Sequence, residues 1–274
     1  MKAYKVKVPA HQVGSGGTLT ECREPVSADE QYHIARDQRN PLYLGQWLHQ
    51  HPDDPALKVR IKFWSIEFQV TFLSQGFIPR LKDHLLSRLR GQGGAGEEAI
   101  FSEKERDALF FQHERIYAHA ILRINFTTYD MRRDQDFINP RTGKRFIMVN
   151  SNEDSPEARK FHPFWYAQVL GIFHANVFLS VGSSTAKPIR MEFLWVRWFG
   201  HDSMWKSGWQ ARHLDRIGFV PQEDTEAFGF LDPGAVIRAA HLIPVFAYGR
   251  TIELCAPSVA REDEGDWEYY YVNR

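Results

Sequence analysis

The sequence predicts an α+β protein, with a helical N-terminal part over residues 27–114 followed by a small, mostly antiparallel β-barrel-like domain over residues 115–274. Three observations support that division. Ile78, Leu81, Leu85, Leu86 and Leu89 recur at i, i+3, i+7, i+8 and i+11, the stripe of an amphipathic helix. After Glu114 the pattern changes to short runs rich in aromatic and β-branched residues. Polar or Gly/Pro-containing connections separate those runs, as in a small barrel or strongly curved sheet.

Taken in order, residues 1–26 carry Gly14-Ser15-Gly16-Gly17 and little periodicity, and read as a loose arm. Ser27 with Glu30 has the spacing of a capping box. The apolar positions from Tyr32 to Leu48 are broadly helical, and Pro41 divides them into two short helices. His51-Pro52-Asp53-Asp54-Pro55 is a turn cluster. After the Ile78–Arg90 helix comes a glycine-rich linker, Gly91 to Gly96, and then Ser102 with Glu105 opens a helix to about Gln112. In the run Ile116–Tyr129, Leu122, Ile124 and Phe126 share one face, while Ile121, Arg123, Asn125 and Thr127 share the other. Asn139-Pro140-Arg141-Thr142-Gly143 is a turn. Strand-like runs follow at Phe164–Leu179, Arg190–Phe199, Arg212–Val220, Ala227–Leu231, Val236–Tyr248 and Trp267–Val272.

Composition narrows the function classes. Hydrophobic residues make up 43% of the chain and aromatics 14%, enough apolar material to exclude general disorder. Lys plus Arg equal Asp plus Glu at 34 each, and the balance holds on both sides of Glu114. Bulk nucleic-acid binding, which needs a basic surface, is therefore disfavoured. Cys22 and Cys255 are far apart and lack metal-ligand spacing. Met1–Lys7 has no apolar run and no stretch approaches a membrane span, so an intracellular location is expected, nuclear or cytoplasmic. No cofactor is implied, and the oligomeric state is left open.

Several motifs are similar to those of abundant, repetitive, transposon-associated proteins of mushroom-forming fungi. They include the run Phe161–His174, Arg190-Met191-Glu192-Phe193-Leu194-Trp195-Val196-Arg197-Trp198-Phe199, Phe228-Gly229-Phe230-Leu231-Asp232-Pro233, His241-Leu242-Ile243-Pro244 and Tyr269-Tyr270-Tyr271-Val272-Asn273-Arg274. Asn125–Asp130 and Arg133–Asp136 fit as well. The resemblance covers residues 28–274. More distantly, the strand order resembles a C-terminal β domain of plant transposon-encoded proteins, although Trp198-Phe199-Gly200 stands where an acidic residue would fall. No activity is established for either group. The resemblance implies a transposable-element-derived protein that continues past Arg274, so the β domain reads as C-terminally truncated, its last strand lacking a neighbour. In the fungal pattern Asp54-Pro55-Ala56-Leu57-Lys58 leads almost directly into Pro79-Arg80-Leu81. Here Val59–Gln75 intervenes, and it reads either as a translated intron or as a real strand, since Ile66, Phe68, Val70 and Phe72 alternate with polar residues.

No catalytic constellation stands out. His49 and His51, or His113 and His119, lack finger-like spacing, and Ser151, Ser183 and Ser184 lie in no nucleophile elbow. Asp130, Asp134 and Asp136 form a tight carboxylate cluster that a Mg²⁺-dependent nucleic-acid-processing enzyme could use, with Arg132 and Arg133 beside it favouring a solvated turn instead. The aromatics Trp165, Tyr166, Trp195, Trp198, Trp205 and Trp209 fall within 45 residues. Arranged around a pocket they would hold a methylated lysine by cation–π attraction, whereas core packing is the simpler reading. The leading expectation is a non-enzymatic protein-interaction module, its partner a protein or chromatin tail; the alternative is the metal-dependent enzyme.

Overall fold

The computed structural model describes residues 31–64, 70–91, 101–151, 163–180, 187–261 and 264–273. It corrects the expected fold class. Among the described residues the protein is mostly antiparallel β with three α-helices and contains no closed barrel. Within the expected helical part, Tyr32–Tyr43 contains instead two short strands, β1 (Tyr32–Ile34) and β2 (Pro41–Tyr43). Their near-helical apolar spacing was misleading because their partners lie far downstream. β1 pairs with β7 (Leu122–Thr127) and β2 with β6 (Arg115–His119). Local periodicity cannot register a ladder whose other strand is distant in sequence. Of the two helices expected there, the second survives as α1 (Leu44–Gln50). The Ser27/Glu30 capping box and the residue 1–26 arm lie outside the described residues.

The amphipathic helix forms as read, as α2 (Phe77–Leu89), with Leu81, Leu85 and Leu86 fully buried. The Ser102/Glu105 box also forms: the Glu105 carboxylate accepts from the Ser102 amide at 2.9 Å. That helix, α3 (Glu103–Asp107), stops well short of Gln112 because the chain turns into strand β5 (Leu109–Phe111). Arg106 ties the two helices together, donating to both oxygens of Asp83 on α2. Between α1 and α2, β3 (Lys58–Trp64) and β4 (Val70–Gly76) form a hairpin that, among the described residues, pairs only with itself. At its base the Phe77 amide donates to the Leu57 carbonyl at 3.0 Å.

The remaining strands are β8 (Arg133–Ile138), β9 (Phe146–Asn150), β10 (Phe164–Leu179), β11 (Ile189–His201), β12 (Arg216–Phe219), β13 (Phe228–Leu231), β14 (Val236–Ala239), β15 (His241–Pro244), β16 (Arg250–Thr251), β17 (Asp266–Trp267) and β18 (Tyr270–Asn273). An eleven-stranded sheet runs β14-β9-β10-β11-β12-β18-β15, with β13 on β11, β5 and β6 on β10, and β2 on β6. The two ends, β14 and β15, are joined through Ala240 alone, yet no ladder connects them, so the sheet curls without closing. β18, expected to lack a neighbour, has one on each side, β12 and β15.

β10 and β11 form the spine. Along β11, Phe193, Trp195, Arg197 and Phe199 face one way and Leu194, Val196 and Trp198 the other, and both faces are covered, as their composition suggested. In β10 a bulge between Val169 and Gly171 switches the inward face from Ala167 and Val169 to Ile172. Gly171 is required there: a Cβ on it would lie 2.2 Å from the Phe173 ring. The spine divides the interior. One core, under α1 and α2, includes Leu81, Phe173, Phe193, Trp195 and Phe230. A second, toward β1 and β7, includes Ile124, Ile138, Val169 and Val196. A third, at the β12–β18 end, holds Phe146, Phe199, Phe219 and Tyr270. Arg197 is wholly buried between them, paired with Asp266 at 2.9 Å and lying 3.9 Å over the Phe219 ring.

Candidate functional site

The six aromatics singled out in the sequence do not converge on one pocket. Trp195 and Tyr166 are core residues: Trp195 meets Trp47 and Phe77 edge-on at 5.8 and 5.5 Å, and Tyr166 belongs to the third core. Trp165 and Trp198 make a T-shaped pair at 5.8 Å on the rim of the second core. Only Trp205 and Trp209 lie outside these cores, in the hairpin that joins β11 to β12.

Sheet alternation explains what surrounds them. Tyr270 and Val272 point into the third core, so Tyr269 and Tyr271 lie on the opposite side, while Trp267, at the end of β17, packs partly against that core and leaves an edge to the same side. Phe246 packs edge-on against Trp267 at 5.1 Å, and Tyr248 against Tyr269 at 5.2 Å. Trp205 adds to the same face, 5.9 Å from Tyr271 and stacked on His213 at 4.9 Å. Arginines interleave the rings. Arg250 lies 4.7 Å over Trp267, and Arg216 sits within 4.2 Å of Trp205, 4.5 Å of Tyr269 and 4.9 Å of Tyr248.

Arg216 therefore fills an aromatic cage of the kind sought for a methylated lysine. Asp202 fastens it, accepting from Nε at 2.8 Å and Nη2 at 2.6 Å, and Nη1 donates to the Tyr248 hydroxyl at 2.9 Å. Burial works against its charge, but the bonds to Asp202 and Tyr248 more than offset it and hold the guanidinium above its ordinary pKa. Burial, with Asp202 and Glu268 nearby, pushes the Tyr269 phenol up, so it stays neutral.

The hairpin above this cage is well tied. Met204 and Trp205 donate their amides to Asp202, the Trp205 indole donates to the Leu214 carbonyl at 3.0 Å, and Ser207 donates to Asp215 at 2.7 Å. Gly208, with φ of 95°, and Arg212, with φ of 55°, turn the chain in the left-handed region. At the tip Trp209 is 99% exposed and Met204 89%, with Lys206, Arg212 and His213 around them.

The carboxylate cluster is dispersed into local bonds. Asp130 pairs with Arg132 at 3.0 Å in an exposed turn, and Asp134 accepts from the Gln135 amide. Asp136 holds Arg238 Nε at 2.6 Å and the Ala239 amide at 2.9 Å, pinning β8 against β14. Among the described residues no three His, Cys, Asp or Glu groups are placed to hold a metal ion. Cys255 is a buried thiol that burial pushes up in pKa, which makes it unreactive.

A buried histidine pair escaped the sequence reading. His119 Nε2 and His174 Nδ1 are 2.6 Å apart, and Tyr117 stacks on His174 at 4.7 Å. Only one proton can lie between the two nitrogens, so the two rings cannot both be charged, and burial favours the neutral form of each. Burial first, then Arg190 and His119, pushes His174 down to about 3, and burial also lowers His119. The pair arises from the register of β6 on β10, which no sequence spacing announces.

No family model matches the chain, and neither a curated protein nor a solved structure matches it. The resemblance to transposon-associated proteins thus rests on the quoted motifs alone. No helix among the described residues is long and apolar enough to cross a membrane.

Proposed function

We propose that the chain is a non-enzymatic protein-interaction module, and that its contact surface is the aromatic face that runs from Phe246, over Tyr248, Tyr269 and Tyr271, to Trp205 and Trp209. The observation that carries this reading is Trp209, fully exposed at the tip of a hairpin braced by a buried arginine–carboxylate pair. Trp209 buries nothing within the fold, and with the exposed Met204 and Leu214 of the same hairpin it forms the kind of apolar patch that marks association sites. Trp, Tyr, Met and Arg are also the residue types that interfaces concentrate and that dominate binding energy. Because Arg216 already fills the cage beneath, a methylated lysine would have to displace it. The partner is therefore read by Trp209 and its neighbours. The family resemblance would make this an element-derived binding protein.

The test is a peptide-array titration of the full chain beside Trp209→Ala. The reading expects at least one peptide to bind better than its scrambled control, and expects the variant to lose roughly tenfold or more in affinity. Because the ring is solvent-exposed, the variant should unfold within about 0.5 kcal/mol of the parent. Equal binding by both proteins would remove Trp209 from the site.

A further inference from the structure

We propose that the aromatic face receives a second copy of this chain, the two copies meeting about a two-fold axis with the basic end of each face on the acidic end of the other. This rests on the reading of that face as the contact surface. Its contacts give it a definite order. Glu253 and Glu264 flank the β16–β17 ladder, next come Trp267 with Phe246 and Arg250, then Tyr269 with Tyr248 and Arg216, then Tyr271 with Trp205 and His213, and finally the hairpin tip with Trp209, Lys206 and Arg212.

The two ends carry opposite charge. Lys206 and Arg212 are exposed at the tip, while the acids near them are engaged within the fold, Asp202 with Arg216 and Asp215 with Ser207. At the far end Glu253 is exposed and the Glu264 side chain is 81% exposed. Glu264 meets Arg250 at only 3.6 Å, and Arg250 is directed to the Gly265 carbonyl and the Trp267 ring.

A strip with unlike ends is self-complementary under two-fold rotation, because each end then faces its opposite twice over. A nucleic-acid strand or an anionic membrane would be attracted at the tip and repelled at the glutamates. The size also suits. Aromatic side chains bury about 150–250 Å² each, so Trp209, Phe246 and their exposed neighbours approach the ~800 Å² per partner of a standard interface.

The experiment is light scattering and sedimentation of the full chain from low micromolar concentration upward. It uses the parent and two charge-reversed variants, Lys206→Glu with Arg212→Glu, and Glu253→Lys with Glu264→Lys. The parent should approach twice its 31.9 kDa mass. Each variant alone should associate at least about tenfold more weakly, and an equimolar mixture should regain parent-like association because its ends again complement. Recovery in the mixture also shows that both variants are folded. A parent that remains a single chain at every concentration overturns the proposal, as do variants that associate as the parent does. A single-chain parent that still binds a peptide through Trp209 overturns self-association alone. A dimer insensitive to these charges, in a protein that binds no peptide, overturns the interaction reading as well.

Discussion

The Arg216 guanidinium lies 4.2 Å from the centre of the Trp205 ring, held there by two hydrogen bonds to one oxygen of Asp202. That contact joins strand β12 to the hairpin that carries Trp209. Arg216→Ala leaves the Asp202 carboxylate buried without its cation, and the expected loss is about 3–5 kcal/mol in urea unfolding. Arg216→Lys should recover only part, since an ammonium offers neither the planar fork nor the stacking surface. A loss below about 1 kcal/mol in Arg216→Ala would mean the pair is effectively solvated.

Mild acid should weaken the fold through two buried histidines. His174 is pushed down to about 3 by burial, then Arg190 and His119; His84 is pushed down to about 3 by burial, then Arg88. With folded values below the unfolded 6.5, the unfolded chain takes up these protons first. The stabilisation is complete above pH 6.5 and is lost as pH falls toward 3. Unfolding free energy measured between pH 6.5 and 5 should drop by up to ~1.4 kcal/mol per pH unit for each histidine. His84→Leu should reduce that slope, and a flat profile in the parent would contradict the burial of both rings.

The β10 bulge depends on a missing side chain. Gly171→Ala places a methyl 2.2 Å from the Phe173 ring, which is itself buried. A cost of about 1–3 kcal/mol is expected from the clash. In Gly171→Ala with Phe173→Leu the two effects should be less than additive in a double-mutant cycle, because the leucine makes room for the methyl. Strict additivity would place the strain elsewhere.

The β3–β4 hairpin is an excursion whose ends already meet. Lys58 stands opposite Gly76 in register, and the Leu57 carbonyl accepts from Phe77 across its base. Leu57 and Phe77 are both buried in the first core. Deleting Val59–Gln75 and joining Lys58 to Gly76 should therefore leave a cooperatively folding protein with an unchanged unfolding midpoint. Loss of cooperative unfolding on deletion would make the hairpin part of the core. Sequencing native transcripts across the segment checks separately whether it is encoded as a spliced-out intron.

Some of this was legible in the sequence and some was not, and the division follows the range of the interactions. The α2 stripe, the Ser102/Glu105 cap and the alternation along β10 and β11 are local patterns, in which neighbours a few residues apart determine the outcome. By composition, too, the Phe193–Phe199 stretch of β11 could be read as covered on both faces, with Arg197 its one charged residue. The six tryptophan and tyrosine positions were recognised as aromatic but not sorted. Which of them enter a core depends on the Gly171 bulge and on the inward turn of Tyr270 and Val272.

By itself, then, the sequence determined the chain's β-rich second half, its amphipathic helix and its balanced charge. Only the tertiary structure decided that β1 and β2 are strands, that the sheet curls without closing, and that Arg216 occupies the cage around Trp205. It also brought His119 onto His174 and left Trp209 exposed at a hairpin tip. The physical reason is the same in each case: sheet pairing and cation–π contacts join residues far apart in the chain. Their energies depend on register and burial, which no short window of sequence contains.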